Sequence, residues 1–280
     1  MLDLDDPALD APATRGTQPR QLIVTLYGLY ARAGGGWLAV GSLVRLLAEL
    51  GVDEPAVRSS VSRLKRRGIL TPRAVDGVAG YALTEQAQEI LREGDYRIFE
   101  REQASMADGW LLAVFSIPES ERQKRHVLRT QLTKLGFGTA APGVWIAPAH
   151  VYEEVGERLT RLELRDYVNL FRADYLSTLP DLADKVRQWW DLDALERLYA
   201  DFCAAYETDW TDEPSEREAF VAYVRILTDW RRLPYLDPGL PPEVLPRRWS
   251  GTRAVALFES ARVRLEGPAR RHAMRIISHR

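Results

Sequence analysis

DEPAVRSSVSRLKRRGILTPRAVDGVAGYAL, residues 53–83, predicts a short basic helix followed at once by a tight β-hairpin. Asp53 is placed to cap the helix, and Pro55 is tolerated in its first turn. Val57, Val61 and Leu64 recur at helical spacing and make one apolar stripe. At about 100° per residue, Ser59, Ser62, Arg63 and Arg66 fall on the opposite side, with Arg58 and Lys65 on one flank. Gly68 stops the helix. Ile69 to Val75 and Ala79 to Leu83 then flank the turn Asp76-Gly77, a pair suited to a two-residue hairpin loop.

A run such as Arg63-Leu64-Lys65-Arg66-Arg67, met alone, reads as a solvated helix face. Its surroundings argue for more. Residues 54–73 carry six Lys/Arg against one acid, in a chain whose net charge is −2. Two further helices precede it. Gln21 to Ala33 has apolar Leu22, Leu26 and Leu29, and Ser42 to Leu50 is amphipathic, with Ser42 as cap and Gly51 as stop. Two helices, a basic helix and a hairpin make a winged helix-turn-helix, which sets a helix in the major groove while the hairpin touches the backbone. The expected DNA contacts are Arg58, Arg63, Lys65 and Arg66 to phosphates or guanine edges, with Ser59 and Ser62 allowing close approach. Arg73 in the wing adds a backbone contact.

A chain of 280 residues has room for two or three domains, each with its own core. Hydrophobic residues at 46% and charged residues at 28% are ordinary for a globular protein. No run of 18 apolar residues is present, so no membrane span is expected. Residues 1–18 are acidic and Pro/Ala-rich and read as a disordered leader rather than a signal peptide. The single cysteine, Cys203, excludes an internal disulfide framework and fits a reducing cytoplasm. It lies among Leu198, Tyr199 and Phe202 and reads as a buried structural thiol. Charge is distributed in blocks: residues 181–232 hold thirteen acids against seven Lys/Arg, whereas 247–280 hold nine arginines against two acids. Local patches would steer a partner.

The pattern divides the chain in three, giving an α+β multidomain fold. Residues 19–104 form the winged helix-turn-helix, extended by a helix that Thr84 caps and Gly94 interrupts. Within 108–178, an apolar strand (Trp110 to Ile117) is followed by a helix (Glu119 to Leu135) and by two short strands around Pro142-Gly143. A second helix (Val151 to Leu162) and a last strand (Tyr167 to Ala173) complete the order β-α-β-β-α-β, the ferredoxin-like split motif. Its apolar first strand suits a dimerisation face. Residues 180–280 read as a helical domain: Leu182 to Asp209, with Trp189 and Trp190 in its core, then Ser215 to Leu233 and Arg253 to Glu266, ending in a basic tail from Pro268.

With these parts in order, the chain resembles the PaaX family of bacterial transcriptional repressors. The resemblance rests on PRQLIVTLYGLY (19–30), VRSSVSRLKRRGIL (57–70), GWLLAVFSIPE (109–119), GVWIAP (143–148) and DWRRLPYLDPGLPPEVLPRRWSG (229–251). It implies a winged helix, a ferredoxin-like middle similar to a CRISPR adaptation nuclease, and a helical end. It further implies a homodimer on a palindromic double-stranded DNA operator, released by an aryl-acyl coenzyme A such as phenylacetyl-CoA. Such a thioester presents phosphates and an apolar acyl group, so its site wants arginines beside aromatic surface. Arg231, Arg232, Arg247 and Arg248 with Trp230, Tyr235 and Trp249 are the expected effector residues, and Arg172 could face the same cleft.

Enzymatic constellations are thin. A nuclease of the related type carries an aspartate at the end of the first strand for Mg²⁺, where this chain has Phe115-Ser116-Ile117-Pro118. His126, His150, His272 and His279 are scattered without metal-ligand spacing, and no nucleophile elbow, P-loop or dinucleotide fingerprint occurs. Asp191, Asp193 and Glu196 read as a solvated helix face. No catalytic residue, metal or cofactor is expected. The competing class is a protein-interaction adaptor that uses its winged helix without sequence-specific DNA binding.

Overall fold

Pro19 opens α1 (Pro19–Leu26), whose helical path continues as a π-turn over Tyr27–Ala31 and a 3₁₀ turn over Arg32–Gly34. The fold is that of a computed structural model describing residues 18–100, 103–207 and 213–279. The expected leader, Gln18 apart, lies outside the described residues. A three-residue strand, β1 (Trp37–Ala39), then runs straight into α2 (Val40–Glu49). Ser42 is therefore inside α2 and buried, not its cap, which is Ala39. After α3 (Glu54–Arg66) come β2 (Leu70–Val75) and β3 (Val78–Leu83), then α4 (Glu85–Phe99). Gly94 sits buried within α4 without interrupting it. Thr84 caps α4, accepting from Ala87 N at 3.2 Å while its hydroxyl donates to Gly68 O at 2.7 Å, which ties the helix start to the end of α3.

Next follow β4 (Trp110–Phe115), α5 (Arg122–Lys134), β5 (Gly138–Ala141), β6 (Val144–Pro148), α6 (Tyr152–Arg161) and β7 (Val168–Ala173). The chain ends in helices: α7 (Leu179–Trp189), α8 (Leu192–Tyr206), α9 (Glu216–Trp230), the short α10 (Leu233–Leu236) and α11 (Ser250–Ser278). The single helix expected from Leu182 is thus broken after Trp189, where Asp191 restarts it by accepting from Ala194 N at 2.9 Å. The helix expected to end at Glu266 continues through Pro268, because its buried stripe carries on as Leu265, Ala269 and Ala273.

Two compact units emerge. One draws on Met1–Phe99, Ala204–Arg231 and Val255–Arg280, the other on Glu100–Cys203 and Arg232–Ala254. Residues 180–280 are therefore shared between the two units. Chain order could not reveal that, since it depends on which helix faces pack.

The first unit holds an antiparallel sheet in the order β1-β3-β2 against α1, α2 and α3. Its core includes Leu22, Ile23, Leu26, Leu46, Leu47, Val57, Val61 and Leu64. α9 packs on α1: buried Thr228 donates to Thr25 Oγ1 at 2.8 Å, and the Tyr30 and Phe220 rings lie 5.9 Å apart. Trp230 stacks on Phe258 of α11 at 4.6 Å.

The second unit holds a four-stranded antiparallel sheet in the order β5-β6-β4-β7. Alternation along β4 sends Leu111 and Ala113 to one face, with Leu128 and Leu132 of α5 and Val155 and Leu159 of α6. Trp110 and Leu112 point the other way, to Leu182 and Val186 of α7 with Leu240 and Val244. Both faces are covered by this chain, which accounts for the continuous apolar run of β4 and removes it as evidence for a dimerisation face. Trp189 and Trp190 belong to this second layer: Trp110 lies 6.4 and 6.2 Å from them, and Trp190 Nε1 donates to Gly136 O at 2.9 Å. Cys203 is buried, as expected. Glu196, expected on a solvated face, instead accepts from Ser250 N at 2.8 Å and Ser250 Oγ at 2.6 Å, capping α11.

Candidate nucleic-acid interface

α3 begins as the sequence predicts. The Asp53 carboxylate accepts from Ala56 N at 2.8 Å, and Val57, Val61 and Leu64 are buried. Ser60 joins that buried face. Arg58, Ser59, Ser62, Arg63, Lys65 and Arg66 are all exposed, and Arg73 is exposed on β2. Burial of one stripe therefore presents the basic and hydroxyl-bearing face outward.

The outward side chains are partly ordered by one another. Arg63 donates to Ser59 Oγ at 2.8 Å, one turn back along the helix. Arg58 Nε donates to Glu54 Oε1 at 2.9 Å, an i,i+4 pair with both side chains at least half exposed. Such a pair contributes little to stability and can be exchanged for another anion. Lys65 Nζ lies 5.7 Å from the centre of the Tyr81 ring on β3, which links the helix face to the hairpin.

The hairpin is a two-residue loop with Asp76 and Gly77 both at positive φ, 52° and 77°, the geometry a right-twisted ribbon prefers. β1, which the sequence reading missed, makes it a three-stranded sheet. Trp37 Nε1 donates to Arg73 O at 2.9 Å, and a β-carbon at Gly80 would overlap the indole. Beneath it, Tyr27 donates its hydroxyl to Tyr81 O at 2.9 Å. Burial, with Tyr81 nearby, pushes the Tyr27 phenol well above its ordinary value, so it stays a neutral donor.

The residues expected to bind an effector are not brought together in one unit. Trp230 and Arg231 belong to the first; Arg172, Arg232, Tyr235, Arg247, Arg248 and Trp249 belong to the second. Trp230 is spent in the core, its Nε1 donating to Ile98 O at 3.1 Å. Trp249 packs edge-on to Tyr199 at 5.7 Å and covers Gly251. Arg172, Arg247 and Arg248 are exposed, while Arg231, Arg232 and Tyr235 are half-buried. Among the described residues no cluster of His, Cys, Asp and Glu could hold a metal ion, and no helix is long and apolar enough to cross a membrane.

Comparison with known proteins matches three consecutive parts of the chain to three family descriptions. Residues 18–87 match "PaaX-like protein", 103–184 match "PaaX protein central Cas2-like domain", and 190–275 match "PaaX-like protein C-terminal domain". The chain is 29% identical over 258 residues to the transcriptional repressor PaaX of Escherichia coli strain K12, covering 88% of this chain and 79% of that protein. Among solved structures it is similar to an uncharacterized protein from Mycobacterium tuberculosis, with a TM-score of 0.62 and 22% identity over 92% of this chain and 99% of that one. At that identity the likeness speaks for the fold alone.

Proposed function

The chain belongs to the PaaX family, and from that premise we propose that it is a DNA-binding transcriptional repressor, a regulator and not an enzyme. In this reading residues 19–104 are a winged helix-turn-helix with α3 in the major groove and the β2–β3 hairpin on the backbone. Residues 108–178 are the ferredoxin-like β-α-β-β-α-β domain, whose sheet order supports the assignment. Residues 180–280 complete the regulatory part. The protein acts in the cytoplasm, where its DNA is. It works as a homodimer on a palindromic operator, one α3 per half-site, and an aryl-acyl coenzyme A such as phenylacetyl-CoA releases it.

One observation carries the DNA reading. α3 buries Val57, Val61 and Leu64 and turns Arg58, Ser59, Ser62, Arg63, Lys65 and Arg66 outward, beside a hairpin that exposes Arg73. Short hydroxyl side chains between guanidinium groups permit close approach to bases while the cations meet phosphates.

The test is fluorescence anisotropy on a labelled duplex from directly upstream of the protein's own gene, titrated across salt concentrations with and without phenylacetyl-CoA. Selective binding that falls steeply with salt and is abolished by the thioester is the expected result. Selective binding that ignores the thioester would keep the repressor and reopen the effector. Failure on this duplex and on a wider set of genomic fragments would leave the adaptor reading.

A further inference from the structure

At the C-terminal end of β4 the second unit opens into a cavity of about 590 Å³. Its wall combines Phe115, Ile117 and Trp145 with two cations, Arg125 and Arg129, and Thr139 stands at its side. The cations are held there from two directions. Arg125 sits half-buried, donating to Ile117 O at 2.7 Å and pairing at 3.1 Å with Glu119, whose carboxylate is mostly exposed. The Arg129 guanidinium stands 5.9 Å from the centre of the Trp145 ring. A guanidinium stacked on an aromatic wall keeps its in-plane donors free to grip a carboxylate or phosphate in bidentate fashion. Apolar rings and a pair of convergent cations in one concavity are what a ligand with a planar apolar group and an anion requires.

We propose that this cavity binds a small amphipathic anion, its carboxylate or phosphate on Arg125 and Arg129 and its planar apolar group against Phe115 and Trp145. The proposal deepens the repressor reading, on which it rests, by assigning the effector to the middle domain rather than to Arg172, Trp230, Arg231, Arg232, Tyr235, Arg247, Arg248 and Trp249. The shared chemistry has two sources, a free aryl carboxylate and a coenzyme A thioester.

The full-length protein is titrated calorimetrically with phenylacetate, with coenzyme A and with phenylacetyl-CoA, and each sample is assayed for DNA binding in parallel. Binding of at least one probe by the wild type is expected. Phenylacetate alone would identify the carboxylate as the anion, and the thioester alone would identify the phosphates. Arg129→Glu, at an exposed position, should weaken that binding by about tenfold or more, and Thr139→Trp should block it by bulk. Lys185→Ala, at an exposed position of α7 outside the cavity lining, should leave it unchanged. Undiminished binding in both cavity variants overturns the proposal, as does a wild type that binds none of the probes. Because DNA binding without ligand is scored separately, its loss in the wild type would count against the repressor reading and not against the cavity.

Discussion

The Trp37 indole reaches across β3 and donates its Nε1–H to the Arg73 carbonyl on β2, at 2.9 Å. Three strands are thereby joined by one side chain, and Gly80, in the middle strand opposite both Ala39 and Arg73, supplies the space it crosses. The backbone of Arg73 on β2 is therefore positioned from outside the hairpin.

Gly80→Ala should accordingly destabilise the protein by about 1–3 kcal/mol, since the new methyl must displace the ring or the strand. Trp37→Phe, which removes only an exposed hydrogen bond along with some ring area, should cost about 0.5–1.5 kcal/mol. Urea unfolding measures both. In a Trp37→Ala background the penalty of Gly80→Ala should shrink only in part, because the added methyl also meets the Leu38 carbonyl oxygen; an equal penalty there would show that this backbone contact, not the indole, dominates.

Arg63→Ala should weaken operator binding by about 1–3 kcal/mol if the guanidinium reads a base, with stability changed by no more than about 0.5 kcal/mol. Ser59→Ala removes the acceptor that holds Arg63 at 2.8 Å in the free protein. Its effect on affinity should be smaller, because DNA supplies stronger acceptors. Anisotropy with cognate and scrambled duplexes separates the outcomes. An Arg63→Ala protein that binds the operator as tightly as wild type would displace α3 from the groove.

Glu54→Gln tests the opposite sign. Glu54 is the acid paired with Arg58, so its neutralisation frees that cation for phosphate and removes a negative charge beside the DNA. Affinity should rise and the salt slope should steepen by about one phosphate contact. The cost is a lost favourable charge in the first turn of α3, about 0.3–1 kcal/mol of stability. An unchanged salt slope would place Arg58 away from the backbone.

Much of the local geometry of α3 and its hairpin was legible from residue spacing alone. The α3 stripe, the Asp53 cap and the Asp76-Gly77 turn are local features, fixed by periods and by turn chemistry within a few residues. β1 was not legible: three residues between a glycine run and a helix have no period, and their partner strand lies more than forty residues downstream. The middle sheet was readable strand by strand, but the covering of its second face was not. Trp110 looks like an exposed or dimer-facing residue until α7 and Val244 are seen against it. Pro268 misled for a related reason. Its missing N–H argues for a stop, yet Ala269 and Ala273 are fully buried, and packing of that face outweighs one lost hydrogen bond. The expected effector residues fall in two units, and Trp-Arg-Pro spacing does not distinguish rings that bind a ligand from rings that fill a core, as Trp230 does.

Glu216, in the first turn of α9, ties down the far end of α11: Arg271 Nε donates to Oε1 at 2.7 Å, and Arg275 reaches Oε2. Hydrogen bonds from Arg271 and then Arg275 hold its carboxyl below the ordinary glutamate range. A carboxylate with a depressed folded value stabilises the fold fully above its unfolded value, about 4.3, and the stabilisation disappears as pH falls through the folded one. Thermal unfolding of wild type and Glu216→Gln should therefore differ at pH 7 and converge as the pH is lowered below about 4. The difference should also diminish in high salt, because all three side chains are solvent-accessible and screened. A gap between the two proteins that persists unchanged into acid would mean that Glu216 acts through its shape and not its charge.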